Sequence, residues 1–205
     1  MRTFTAAAFA LGFAVALVAL TTERTLIAHP APCDFLTGGG FIMTTGSGTH
    51  DVAKGTFAIG GGCKHGTPTW GHLEYHDHGN DLNAHWLTIT AYLAEGDGVG
   101  DTSIDPKTKQ PTGTRLVCGT ARTNLYGDVY FMVRAHDHGE PGTEDQFDIR
   151  LKSQETGLEV YTTENEPGTP HELNDGNGGG GNIQLHKPNP STDGQLGGDC
   201  PAREM

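Results

Sequence analysis

Residues 130–138 read YFMVRAHDH, and the order of apolar and polar side chains along them decides the fold class. In an extended strand successive side chains alternate faces. That alternation predicts Phe131, Val133 and Ala135 on a core face and Arg134, His136 and His138 on the wet one. The segment HLEYHDH, residues 72–78, obeys the same rule. Leu73 and Tyr75 would face inward with Asp77 on their side, leaving His72, Glu74, His76 and His78 outside.

Comparable short runs of β-branched and aromatic residues begin at Thr56, His85, Thr114, Leu158 and Gln146, and NIQLH begins at Asn182. DFLTGGGFIM adds another, expected to break at Gly38–Gly40. The 31 glycines and 11 prolines punctuate these runs, and no apolar stripe of helical period extends over three turns. The expected fold is all-β: a single-domain sandwich or barrel of at least seven short antiparallel strands with Gly/Pro-rich turns. Residues 95–113 and 164–182 read as long loops. Asp97, Asp101 and Asp105 in the first lack the spacing of a calcium loop, and the glycines of the second precede a strand instead of a helix, so they form no phosphate cradle.

The chain opens with Arg2 and an apolar run from Ala6 to Leu20, the layout of a secretory signal, placed at residues 1–28 with an indefinite cleavage point. A β-domain over 29–188 and a tail over 189–205 would follow, exported to the periplasm or outside the cell. No second apolar run follows, so no integral membrane association is expected after signal removal. The net charge of −12 repels phosphate backbones and excludes nucleic acid as a partner. The oligomeric state is not encoded in any of these features.

Four cysteines in an exported chain imply two disulfides, for which three pairings exist. The expected pairing joins Cys33 to Cys200, tying back the tail, and Cys63 to Cys118. None forms a Cys-x-x-Cys motif, which excludes the common thiol redox and zinc-knuckle arrangements.

The chain has 11 histidines and writes His-Asp-His-Gly twice, at residues 76–79 and 136–139. Two readings of the repeat stand. In one, the aspartates and glycines are turn chemistry: Asp77 and Asp137 bond the backbone while Gly79 and Gly139 adopt the left-handed conformation. In the other, imidazoles two apart on a strand lean toward one ion, and His76, His78, His136 and His138, with His72 and Glu74 beside them, hold zinc or copper. His85 would join if its strand neighbours residues 70–77; His29, His50 and His171 read as surface residues. No serine elbow, zinc-protease helix or phosphate loop is present, and the four serines, Ser47 among them, lack a nucleophile setting.

CDFLTGGGFI from Cys33, GGCKHGTPTWGHLEYHDHG from Gly61, DHGEPGTEDQFDIRL from Asp137 and GGNIQLHKP from Gly180 occur in an order that resembles the post-COAP type of secreted bacterial β-domain, a family without an established activity. The resemblance spans residues 33–188 and implies a β-rich fold, with Gly79, Gly139 and Gly142 turning the chain and Pro141 fixing one entry. The paired histidines depart from that pattern and would be a specialisation of this chain. The expected function is a secreted, disulfide-stabilised binding or structural module with a histidine metal site. The rivals are an extracellular hydrolase assembled from scattered acids and histidines and a purely structural envelope protein.

Overall fold

A computed structural model describes residues 33–95, 103–164, 170–174, 179–192 and 194–203. The expected signal at residues 1–28 lies outside them. Ten strands and no helix occur among the described residues. They are β1 (Phe35–Thr44), β2 (Ala53–Lys64), β3 (Thr67–Asp77), β4 (Leu82–Ala94), β5 (Gly113–Thr123), β6 (Gly127–Asp137), β7 (Gln146–Ser153), β8 (Glu159–Thr162), β9 (Gly180–His186) and β10 (Gly197–Gly198). The fold is all-β, as the alternation in YFMVRAHDH requires. No described helix is long and apolar enough to cross a membrane.

The strands form one antiparallel sheet in the order β8-β7-β6-β5-β4-β3-β2-β1-β9, with β10 paired to β4. Eight strands meander in sequence order, and β9 returns to lie beside β1. The sheet curls. Phe57 of β2 stacks on Phe147 of β7 with centroids 3.8 Å apart, although four strands lie between them. A flat sheet would hold those strands about 24 Å apart at the usual interstrand spacing.

Burial follows the pleat. Leu73, Tyr75 and Asp77 of β3 are buried, as are Val129, Phe131, Val133, Ala135 and Asp137 of β6. Burying each large side chain such as Phe131 or Phe147 contributes about 1.5–3 kcal/mol, so this interior is the main source of stability. It also holds an ion pair: Arg115 of β5 donates to Asp34 from Nε (3.1 Å) and Nη2, and the Tyr92 hydroxyl donates to the same carboxylate (2.8 Å). The entry to β1 is thereby fastened to β4 and β5.

Two sequence expectations need correction. β1 does not break at Gly38–Gly40; the glycines let β1 and β9 approach closely within a continuous strand. A Cβ on Gly40 would stand 2.2 Å from the Gly180 carbonyl oxygen, and one on Gly181 would stand 2.3 Å from that of Gly39.

The disulfide pairing also differs: the bonds are Cys33–Cys63 and Cys118–Cys200. The β1–β2 register sets Phe35 opposite Gly62 and so brings Cys33 beside Cys63, whereas β3 and β4 stand between β2 and the Cys118 of β5. Cys118 belongs to a second cluster with Ala91, Leu116, Met132 and Ala202, on the side of the sheet that the tail covers. The tail is thus tied back by Cys200, with Cys118 as its partner in place of Cys33.

Candidate functional site

The two His-Asp-His-Gly copies end β3 and β6, and they do not meet. β4 and β5 separate the two strands, and β3 and β6 run in opposite directions, so the repeats lie toward opposite ends of the sheet. Three interstrand steps give about 14 Å laterally and the ten-residue offset in register about 33 Å along the strands. Zinc needs every ligand within about 2.1 Å. His76, His78, His136 and His138 therefore cannot share one ion. Among the described residues no group of three or more His, Cys, Asp or Glu is placed to hold a metal.

Each outward side chain instead has a local partner. His76 Nε2 lies 3.2 Å from Asp81 Oδ1 and His78 Nε2 lies 3.3 Å from Thr56 Oγ1, with the two rings 4.0 Å apart. His136 Nδ1 is 2.8 Å from Thr114 Oγ1, and His138 Nε2 is 2.9 Å from Glu144 Oε2. His72 lies over Gly60, and Glu74 is bonded to His85.

The aspartates carry the repeat. Gly79 N–H donates to Asp77 Oδ1 (2.8 Å) and Gly139 N–H donates to Asp137 Oδ1 (2.7 Å), the same Asx turn twice. Their second oxygens reach across the interior. Asp77 Oδ2 accepts the Tyr161 hydroxyl of β8 (2.6 Å), and Asp137 Oδ2 accepts Leu185 N–H of β9 (2.6 Å). β8 and β9 are the two edges of the sheet. Each copy thus fastens one edge strand, and Asp145 adds a second tie by accepting N–H from Ile183 (2.7 Å) and His138 (3.0 Å).

The glycines differ from expectation. Gly139 and Gly142 are left-handed (φ 103° and 76°), but Gly79 is not among the positive-φ residues. Its need for hydrogen at Cα is steric: a Cβ there would lie 2.2 Å from the His50 ring. His50 and His171 are also not surface residues. The His50 side chain is 10% exposed and bonds Asp77 Oδ2 (2.8 Å), and that of His171 is 12% exposed and bonds Asp148 Oδ1 (2.7 Å). No apolar period marks these loop histidines, so pattern reading could not find them. Ser47, His50 and Asp77 share one corner without forming a catalytic triad. The His50 nitrogens face Asp77 and the Asp51 carbonyl, and the Ser47 hydroxyl is bonded to Thr162. Asp105, in the first of the two expected loops, is buried and accepts Glu140 N–H (2.8 Å).

A groove of about 720 Å³ lies over the β2–β5 region, and its lining includes Thr56, Glu74, His76, His85, Leu87 and Arg122. The register builds it. Glu74 stands opposite His85, His85 opposite Arg122, and Arg122 opposite Asp128, giving one row across four strands in which two acids flank two bases. The Arg122 Nε donates to Asp128 Oδ1 at 2.9 Å. His85 does join this face, because its strand neighbours β3 as the sequence condition demanded. Arg122 was not singled out from sequence; it becomes visible only when β4 is placed beside β5. Glu74 and His85 are 56% and 59% exposed, and no serine or cysteine is among the lining residues. The row offers hydrogen-bond donors and acceptors in a fixed order without an activated nucleophile.

Comparisons with protein families, with curated proteins and with solved structures found no match.

Proposed function

We propose that this disulfide-stabilised β-domain is an extracellular binding module that takes a neutral, polyhydroxylated ligand along the Glu74–His85–Arg122 row. The supporting observation is the row itself: a carboxylate, an imidazole and a guanidinium, planar groups of both signs, stand in line in one open groove, with Leu87 beside them as an apolar contact. A uniformly charged ligand would meet its own sign somewhere along that row, whereas hydroxyl groups can donate to Glu74 and accept from Arg122. Two disulfides suit an oxidising compartment outside the cytosol. The hydrolase alternative has less support, since Glu74 and His85 are open to solvent and bonded to each other.

The test is a titration of the purified protein with neutral oligosaccharides, followed by amide shifts of β3–β5. Saturable shifts confined to the groove are expected. Arg122→Ala should weaken binding about tenfold or more, the usual effect of losing hydrogen bonds to a charged group. Turnover of a saccharide would favour the hydrolase. Stoichiometric zinc or copper uptake without saccharide binding would return the histidines to a metal role and sink this reading.

A further inference from the structure

The β1–β2 loop, residues 45–52, is held in an unusual way. Gly46, Ser47 and Gly48 are all left-handed, with φ of 54°, 62° and 75°. A side-chain-bearing residue adopts this conformation only where its surroundings over-determine it. Ser47 Oγ donates to Thr162 O and accepts from Thr162 N–H, both at 2.7 Å. Thr162 ends β8, an edge strand that pairs with no strand on its outer side among the described residues. The serine therefore covers exposed backbone groups of a sheet edge, the kind that otherwise recruit a further strand.

Three residues along, His50 anchors the same loop. Its Nε2 lies 2.8 Å from Asp77 Oδ2 and its Nδ1 lies 2.6 Å from the Asp51 carbonyl oxygen. Carbonyl and carboxylate oxygens accept, so an imidazole with one at each nitrogen satisfies both only with a proton on each. The seat is closely shaped. A Cβ at Gly46 would lie 2.6 Å from His50 Nε2, and one at Gly79 would cut into the ring at 2.2 Å.

We propose that the β1–β2 loop is a proton-operated clasp: an imidazolium at His50 pins it to Asp77 and keeps Ser47 over the β8 edge, and loss of that proton lets it lift. The facing groups are Asp77 and Tyr75 of β3, Tyr161 of β8, Tyr126 of the β5–β6 turn within the field of Asp77, and Asp51 of the loop itself. Burial works against a charge on His50, but the Asp51 carbonyl and the Asp77 carboxylate outweigh it and raise its pKa above 6.5. The clasp is therefore closed below the ordinary histidine range and opens as pH rises through the raised value. None of the clasp residues Ser47, His50, Asp77 and Thr162 lines the outer groove.

The test uses the wild-type chain between about pH 5 and pH 9, a range that brackets histidine titration. Ring ¹⁵N shifts report the protons on His50, and hydrogen exchange reports the Thr162 amide. Expected are two ring protons on His50 at the acid end of that range and, after correction for intrinsic exchange, a fall of about tenfold or more in Thr162 protection as His50 deprotonates. His50→Gln should give the low protection at every pH. Ser47→Ala should abolish Thr162 protection while leaving the His50 titration in place, which separates the cover from its anchor. A ring that loses its second proton below the ordinary histidine range, or Thr162 protection indifferent to the His50 titration, overturns the clasp.

Discussion

At the scale of single residues, glycines and buried aspartates do work that composition alone assigns to turns. Gly79 is the clearest. Its neighbour in space is the His50 ring, and alanine there would force the ring off Asp77. We expect Gly79→Ala to cost about 1–3 kcal/mol, the usual range for overpacking, in urea unfolding. Gly197→Ala is the control, since nothing lies within 4 Å of a Cβ at that position, and it should be nearly neutral. Equal effects of the two changes would remove the steric account. Asp77 and Asp137 were legible as turn residues because Asx-Gly chemistry is local. Their ties to Tyr161 and Leu185 were not, since those partners lie 84 and 48 positions away and depend on how far the sheet curls. The same limit hid His50, whose role becomes visible only beside Asp77.

At the scale of elements, strand existence and the direction of each side chain were readable wherever one face is wet. The inward set Phe131, Val133 and Ala135 and the outward set Arg134, His136 and His138 lie as the alternation requires, the outward ones being part-exposed or exposed. Neighbour relations beyond a hairpin were not readable, and the metal-site and disulfide expectations both turned on them. The observed bridge from Cys118 to Cys200 lays the tail over Leu116 and Met132. Replacing both cysteines with serine should therefore do two things. It should lower stability by about 2–5 kcal/mol, and it should expose β10 and the cluster beneath it to protease before the rest of the sheet unfolds. Cleavage confined to that tail, mapped by mass spectrometry, is the expected result; a tail as resistant as in the oxidised protein would mean that β10 pairing alone holds it.

At the scale of the whole molecule, acid acts on groups whose folded state favours the proton. Burial pushes the Asp145 carboxyl up to about 6, against the lowering effect of its bonds from Ile183 and His138, and Asp137 is raised for the same principal reason. A raised folded pKa gives stability that is complete below the unfolded value of 3.8 and is lost as pH rises through the folded one. His50 has the same sign. The urea midpoint should therefore rise as pH is lowered from about 8 toward 5, a range in which salt-bridged carboxylates stay ionised and add no slope of their own. Asp145→Asn should flatten that slope and lower the midpoint at acid pH, because an amide has one acceptor oxygen for two N–H donors. A slope unchanged in the variant would place the effect elsewhere.

The return of β9 to the side of β1 governs when the chain can finish folding. β1 is made early, yet its outer neighbour begins at Gly180. A chain emerging in order can zip β1 through β8 as successive hairpins, each a short-range event. Throughout that interval β1 has an open flank, and Asp137 and Asp145 have no Ile183 or Leu185 to receive. The closing step joins segments nearly 150 positions apart and carries the largest loop-closure entropy in the sheet. Synthesis halted just before residue 180 would leave two buried carboxylates each short of one donor and an unpaired strand, a species prone to pair with its own copies.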